Sequence, residues 1–150
     1  MRAVIQRVSN ARVTIDDVVK GEIKLGYLIL LGIETMDDEN DVNWLIKKII
    51  GLRVFSDQDG KMNYSIKDVD GNILLVSQFT LHASYKKGNR PGFTKAARPE
   101  QAIPLYQSFI DQLELELAKP IACGEFGANM QVSLSNDGPV TIIMDSKNPE

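Results

Sequence analysis

Ser77, Gln78, Thr80 and His82 bring two hydroxyls, an amide and an imidazole into one short stretch. They close the run Leu74-Leu75-Val76-Ser77-Gln78-Phe79-Thr80-Leu81. Its three leading aliphatic residues predict a buried strand, entered from the turn signal Asp70-Gly71-Asn72. Polar side chains at the end of such a strand are rigidly held and can face a cleft; equally, they can do no more than cap the loop that follows. In an extended chain Thr80 and His82 share a face, so they read either as a hydroxyl–imidazole pair or as a threonine near an exposed loop histidine. His82 is the only histidine, so a Ser/His/Asp triad has no other base available. An internal threonine also lacks the free α-amine that activates an N-terminal one. Backbone amides at the strand end, or a hydroxyl carried by the substrate, are the better candidates for driving a reaction.

Two further stretches stand out. From Ser84 to Pro99 the chain holds Lys86, Lys87, Arg90, Lys95 and Arg98 without one acidic residue, punctuated by Gly88, Pro91, Gly92 and Pro99. This is either a solvated loop or a surface for phosphates, and its place beside the candidate site favours phosphates. Asn136-Asp137-Gly138-Pro139 reads as a hairpin turn. The proline after the glycine is unusual there, and X-Pro is where cis peptides occur. Other templates are missing. No glycine-rich phosphate loop is present. One cysteine and one histidine leave no zinc ligand set. Asp57-Gln58-Asp59-Gly60 lacks the closing glutamate of a calcium loop. No metal and no cofactor is expected.

The elements that must position these groups follow from hydrophobic periodicity. Met1–Val8, Ala11–Ile15, Val18–Ile23 and Tyr27–Leu31 read as strands, with a turn at Asp16-Asp17. Val42, Leu45, Ile46, Ile49 and Ile50 mark one face of a helix that begins among Asp37, Asp38, Glu39 and Asp41 and stops at Gly51. Leu52–Phe55 reads as a short strand. Ala102, Tyr106, Phe109, Ile110, Leu113 and Leu117 mark a second helix, with Pro104 either in its first turn or kinking it. Met130, Val132 and Leu134 alternate before the turn at Gly138-Pro139, and Val140–Met144 returns. Strands with two amphipathic helices predict an α+β class.

Composition is that of one globular domain spanning residues 1–150, with 43% hydrophobic and 25% charged residues. Seventeen basic against twenty acidic residues give a net charge of −3, so contact with nucleic acid would have to rest on a local basic patch. No apolar run reaches the roughly 20 residues of a membrane span. A lone cysteine and the absence of a secretory pattern fit a cytoplasmic protein.

Taken together, Met1-Arg2-Ala3-Val4-Ile5-Gln6-Arg7-Val8, Asp59-Gly60-Lys61-Met62-Asn63, Val76–Leu81, Lys87-Gly88-Asn89-Arg90-Pro91, Phe126-Gly127-Ala128 with Met130, and Gly138-Pro139-Val140-Thr141 resemble the D-aminoacyl-tRNA deacylases of the stand-alone bacterial and eukaryotic type. Gly92 stands where that pattern has serine, and Asp137 where it has a small residue, which places a negative charge near the expected pocket mouth. The resemblance implies a homodimer of antiparallel, barrel-like sheets flanked by helices. It also implies hydrolysis of the ester joining a D-amino acid, or glycine mischarged on tRNA(Ala), to the 3′ end of tRNA. Ser77, Gln78, Phe79 and Thr80 would line the pocket, with Thr80 as nucleophile in one view and the ribose 2′-hydroxyl assisting water in another. Gly138-Pro139 would be cis, reach into the partner subunit's pocket and reject L-residues. Arg7 would support that segment, and Phe126, Ala128 and Met130 would shape the pocket. Lys86, Lys87 and Arg90 are the expected tRNA contacts.

Overall fold

A computed structural model describes residues 1–150. Its first element, β1 (Arg2–Ile15), is one strand of 14 residues where the pattern suggests two. The polar Ser9-Asn10 that separates the halves is exposed and falls at a register shift, so the ladder absorbs it as an irregularity instead of breaking. That length lets one edge of β1 serve two partners. Ala11–Ile15 pair with β2 (Val18–Ile23) and Arg2–Val8 with β3 (Gly26–Gly32), both antiparallel. The β1–β2 turn is Asp16-Asp17 as expected, with φ of 48° and 61°, the left-handed pair that two-residue hairpins require.

After β3 comes α1 (Glu39–Gly51). Asp38 caps it by accepting from the Asn40 N–H at 2.8 Å, while the Asp41 carboxylate accepts from the Asp38 N–H at 2.9 Å. A short hairpin follows, β4 (Phe55–Ser56) and β5 (Met62–Tyr64), so the strand expected at Leu52–Phe55 starts at its last residue. Next is β6 (Asn72–Ser77). Its predicted continuation to Leu81 is not strand, because Phe79–His82 coil into a single 3₁₀ turn. The second helix, α2 (Pro99–Leu117), carries Pro99 in its first turn and Pro104 further in. Pro104 therefore lies past the first turn, and the helix runs on through it. Two strands complete the chain, β7 (Ala122–Cys123) and β8 (Gln131–Asp145).

The expected antiparallel sheet is in fact mixed. β3 runs parallel to β6, and β6 parallel to β7. Both connections pass through a helix, and a crossover helix returns the chain to the end from which it started. Around the path β2-β1-β3-β6-β7 the sheet nearly closes on itself. A Cβ on Gly21 of β2 would stand 3.0 Å from the Cys123 carbonyl oxygen of β7. Val8, Ala11, Val13, Ile23, Leu28, Leu74 and Val76 fill the interior. The opposite face, with Ala3, Ile5, Ile29, Ile73 and Leu75, packs under the two helices. β3 and β6 are thus buried on both sides, which is why they read as unbroken apolar runs.

β8 corrects a second expectation. It is continuous and pairs with β1 throughout, so Asn136–Pro139 is not a hairpin turn. Two steps along β1, Gln6 to Val8, span five along β8, Thr141 to Asn136, and three residues loop out. The Asn136 side chain closes this bulge, accepting from the Val140 N–H at 2.8 Å and donating to the Thr141 hydroxyl at 3.1 Å.

Candidate active site

The site grows from the point where β6 runs out of partner. Ser77 lies opposite Leu31, and the last bond to β3 is Gln78 N–H to the Leu31 carbonyl at 2.7 Å. The chain then turns, with Leu81 N–H on the Gln78 carbonyl at 3.2 Å and Ala83 N–H on the Thr80 carbonyl at 3.0 Å. Beside this turn is a cavity of about 70 Å³. Ser77, Gln78 and Phe79 form one wall, Leu31 and Ile33 the floor, Ala97 and Ala102 the helix side, and Phe126 with Gly127 the remaining side. The Phe126 ring stands edge-on to Tyr106, centroids 5.8 Å apart. Tyr106 donates its hydroxyl to the Leu75 carbonyl at 3.1 Å. Burial pushes that phenol well above its usual range, which keeps it a neutral donor at physiological pH.

Thr80 is exposed and does not itself line the cavity, and its hydroxyl oxygen accepts from the side-chain amide of Gln78, which does. Phe79 is 55% exposed and meets Phe93 edge-on at 4.9 Å. His82 is neither the partner of Thr80 nor a surface residue. It is 3% exposed, lies against Gly32, and neither ring nitrogen has a hydrogen-bond partner. The reason is local. At three residues per turn, two positions are two-thirds of a rotation, whereas an extended chain would have kept both side chains on one face.

The sequence marks Ala102 only as a buried helix position and Arg2 only within the first motif, and it assigns neither of them, nor Ile33 or Ala97, to the site. Arg2 donates through Nη1 to the Leu81 carbonyl at 3.0 Å and through Nε to Asp145 at 2.8 Å, tying the 3₁₀ turn to the last residue of β8. Only tertiary closure brings these groups together, and no local signal announces them.

Gly138 and Pro139 do not join the cavity of their own chain. They are exposed, in the β8 bulge beside Arg7, and the peptide between them is cis. Arg7 is 8% exposed. It donates through Nε to the Asp137 carbonyl at 2.9 Å and through Nη1 to the Val54 carbonyl. The Asp137 carboxylate lies 3.5 Å from the same guanidinium, so its charge faces Arg7. Gly138 has φ +138°, and a Cβ there would stand 2.8 Å from Val140 Cγ2 and 3.1 Å from Arg7 Nη2. Along β1, Arg7 is five residues from Arg2, roughly 17 Å of strand, and Arg2 lies opposite Gly32 at the cavity end of β3. Ala128 and Met130 are also outside the cavity. Ala128 lies in a surface depression with Ile15, Asp16 and Lys20, and Met130 packs at the edge of the barrel interior.

The basic loop is pinned at its base, where Ser84 and Gly92 exchange backbone bonds of 2.8 Å each. Lys86, Lys87 and Arg90 are exposed on it. None of the three enters an ion pair; the cations that do are Met1, Arg2, Arg7, Lys67, Lys119 and Lys147. No cluster of histidine, cysteine and carboxylate groups has the makings of a metal site, and no helix is long and apolar enough to cross a membrane.

A nearly closed mixed barrel with two crossover helices and a small cavity at a strand end makes an α+β architecture. The profile of the family described as D-Tyr-tRNA(Tyr) deacylase matches residues 4–145, and the chain belongs to it. A D-aminoacyl-tRNA deacylase of Flavobacterium psychrophilum is 61% identical over 150 residues, the full length of both chains. One of Akkermansia muciniphila is 59% identical over the same span. A solved structure described as a c-Myc DNA unwinding element binding protein is 44% identical, covers 97% of this chain and 98% of its own, and superposes with a TM-score of 0.89. Another, of a probable eukaryotic D-amino acid tRNA deacylase, has 14% identity and a TM-score of 0.82, and shows the shared fold.

Proposed function

We propose that this protein, acting as one domain over its 150 residues, hydrolyses the ester between a D-amino acid and the 3′ end of tRNA. The products are free D-amino acid and tRNA, and the reaction takes place in the cytoplasm, where charged tRNA is used. The observation that carries this reading is the cavity at the end of β6, lined by Ser77, Gln78 and Phe79, with Thr80 exposed beyond them and bonded to Gln78, in a chain 61% identical from end to end to a named deacylase. Thr80 has no base on its hydroxyl; its only side-chain partner is the Gln78 amide, which donates to it. Thr80 therefore positions the acyl group, and the substrate's own 2′-hydroxyl assists the attacking water.

Rejection of L-residues falls to Gly138-Pro139 of a second subunit. In its own subunit this segment stands apart from the cavity, yet it is presented outward and held by Arg7. The outer edge of β8 has no strand partner, and Ile143 on that strand is 72% exposed. An open edge with apolar side chains suits a second copy of the chain. The carbonyl oxygens around Gly138 would then occupy the space an L side chain needs while leaving the D direction open. Glycine carries no side chain to reject, so glycyl-tRNA(Ala) is also a substrate. Lys86, Lys87 and Arg90 meet the tRNA phosphates.

Incubation with matched D-, L- and glycyl-tRNA, following ester loss, tests this directly. Loss of the D and glycyl esters with the L ester intact is expected; equal loss of D and L esters would overturn the stereochemical assignment. Removing Lys86, Lys87 and Arg90 together should flatten the salt dependence of tRNA binding. An equal slope for wild type and triple alanine variant would place the tRNA elsewhere. A second reading, DNA binding through the same loop, draws on the 44% identical structure described as a DNA unwinding element binding protein. Competition between duplex DNA and tRNA for that loop distinguishes it.

A further inference from the structure

Tyr85 is 78% exposed, the most open aromatic side chain on the molecule. It occupies the first position inside the loop pinned by Ser84 and Gly92, immediately before Lys86 and Lys87. Two residues earlier, Ala83 closes the 3₁₀ turn by donating to the Thr80 carbonyl. Tyr85 is thus tethered to the turn that carries Thr80 and stands among three cations that no carboxylate neutralises. Its hydroxyl takes part in no hydrogen bond with another residue, and its ring belongs to none of the aromatic pairs of the fold. An exposed ring of this kind does nothing for the core. An aromatic face beside unpaired Lys and Arg is the combination by which proteins hold single-stranded nucleic acid, with cations on the backbone and the ring under a base.

We infer that Tyr85 is a stacking platform for an unpaired nucleobase of the tRNA 3′ end, upstream of the terminal nucleotide whose ester enters the cavity. This rests on the reading of the substrate as charged tRNA and adds a base contact to the phosphate contacts proposed for the loop. The terminal ribose must sit at Thr80, so the base over Tyr85 belongs to a preceding nucleotide. Stacking asks only for the flat face of a base, so the contact needs no further group from the loop to read base identity.

The test is a cycle of protein and substrate changes, reading kcat and KM for D-aminoacyl-tRNA. Tyr85→Ala should raise KM about tenfold with kcat held, and Tyr85→Phe and Tyr85→Trp should restore it. Tyr85→Leu, apolar but not aromatic, should behave as the alanine variant. Tyr85 is exposed, so these variants leave the core untouched. With a substrate made abasic at the nucleotides preceding the terminal one, wild type and Tyr85→Ala should give the same kcat/KM. If Tyr85→Ala lowers kcat/KM on intact and abasic substrates by the same factor, or on neither, the stacking assignment is overturned. If the wild type fails to cleave intact D-aminoacyl-tRNA, the substrate reading itself falls.

Discussion

Thr80 receives a hydrogen bond where a nucleophile would have to give one up. Its oxygen accepts from the Gln78 amide, and the nearest imidazole in sequence, His82, is turned into the core. Thr80→Ala is therefore expected to leave a measurable rate, reduced about 10- to 100-fold, whereas a substrate lacking the ribose 2′-hydroxyl should lose more. Single-turnover deacylation of both separates the two mechanisms. Gly138 makes a different demand. At φ +138°, with Val140 and Arg7 in the space a Cβ would fill, alanine is strained within the subunit itself, at a cost of roughly 1 kcal/mol or more. Gly138→Ala should lower the urea midpoint modestly and the D-substrate rate severely. If both fell only in proportion to unfolded protein, the segment would have no part in the reaction. That Ser77 and Gln78 border a cavity was legible, because polar residues ended an apolar run. The burial of His82 was not, because a 3₁₀ turn and an extended strand give the same residues opposite directions, and nothing in Phe79-Thr80-Leu81-His82 chooses between them.

Among the elements, the long strands were legible in place, though β1 and β8 each read as two; the short β5 and β7 were not legible, and neither was the pairing. Alternation marks the Ala11–Ile15 half of β1, the Asp16-Asp17 turn signal marks β2, and unbroken aliphatic runs mark β3 and β6. Whether neighbours run parallel depends on the helices between them, a non-local fact. β8 misled for a related reason: a Gly-Pro interruption looks like a turn unless one knows that both halves lie on one partner, β1. β8 ends at Asp145, and through Arg2 it holds the Leu81 carbonyl of the 3₁₀ turn. Arg2→Ala should lower kcat several-fold with little change in KM, and Arg2→Lys should recover part of it. Equal kcat in wild type and alanine variant would show that the turn stands without this tie. At the foot of α1, Asp41 binds the Lys147 amine and the Ser146 hydroxyl at 2.7 and 2.6 Å. Burial acts to raise its carboxyl pKa, but these bonds, the Asp38 N–H and the N-terminal charge outweigh it and hold the pKa at about 2. A folded-state value below the unfolded one, about 3.9, contributes stability above pH 4 that is lost as pH falls towards 2. The contribution is on the order of 2–3 kcal/mol. Asp41→Asn should flatten the urea midpoint across that window, and an unchanged slope would assign the acid sensitivity elsewhere.

For the molecule as a whole, the proposed site is divided between subunits, so selectivity and rate should vanish together on dilution. Measured against the dissociation seen by ultracentrifugation, D-specific activity should track the dimer fraction; full activity in a monomeric sample would refute the shared site. The closure of β8 on β1 has a consequence for how the molecule is made. Arg2 and Asp145, joined at 2.8 Å, are 143 residues apart in the chain. At roughly 5–20 residues per second, a ribosome takes about 7–30 s to supply one after the other. Through that interval the edge of β1 that β8 will cover stays open on the nascent chain, a template for any stray strand and a natural stopping place for a chaperone. Every residue lining the cavity has been synthesised before β8. On the proposed reading, the growing polypeptide acquires the turn beside its cavity before the Gly138-Pro139 segment, and the last strand to arrive is the one that would make the enzyme selective.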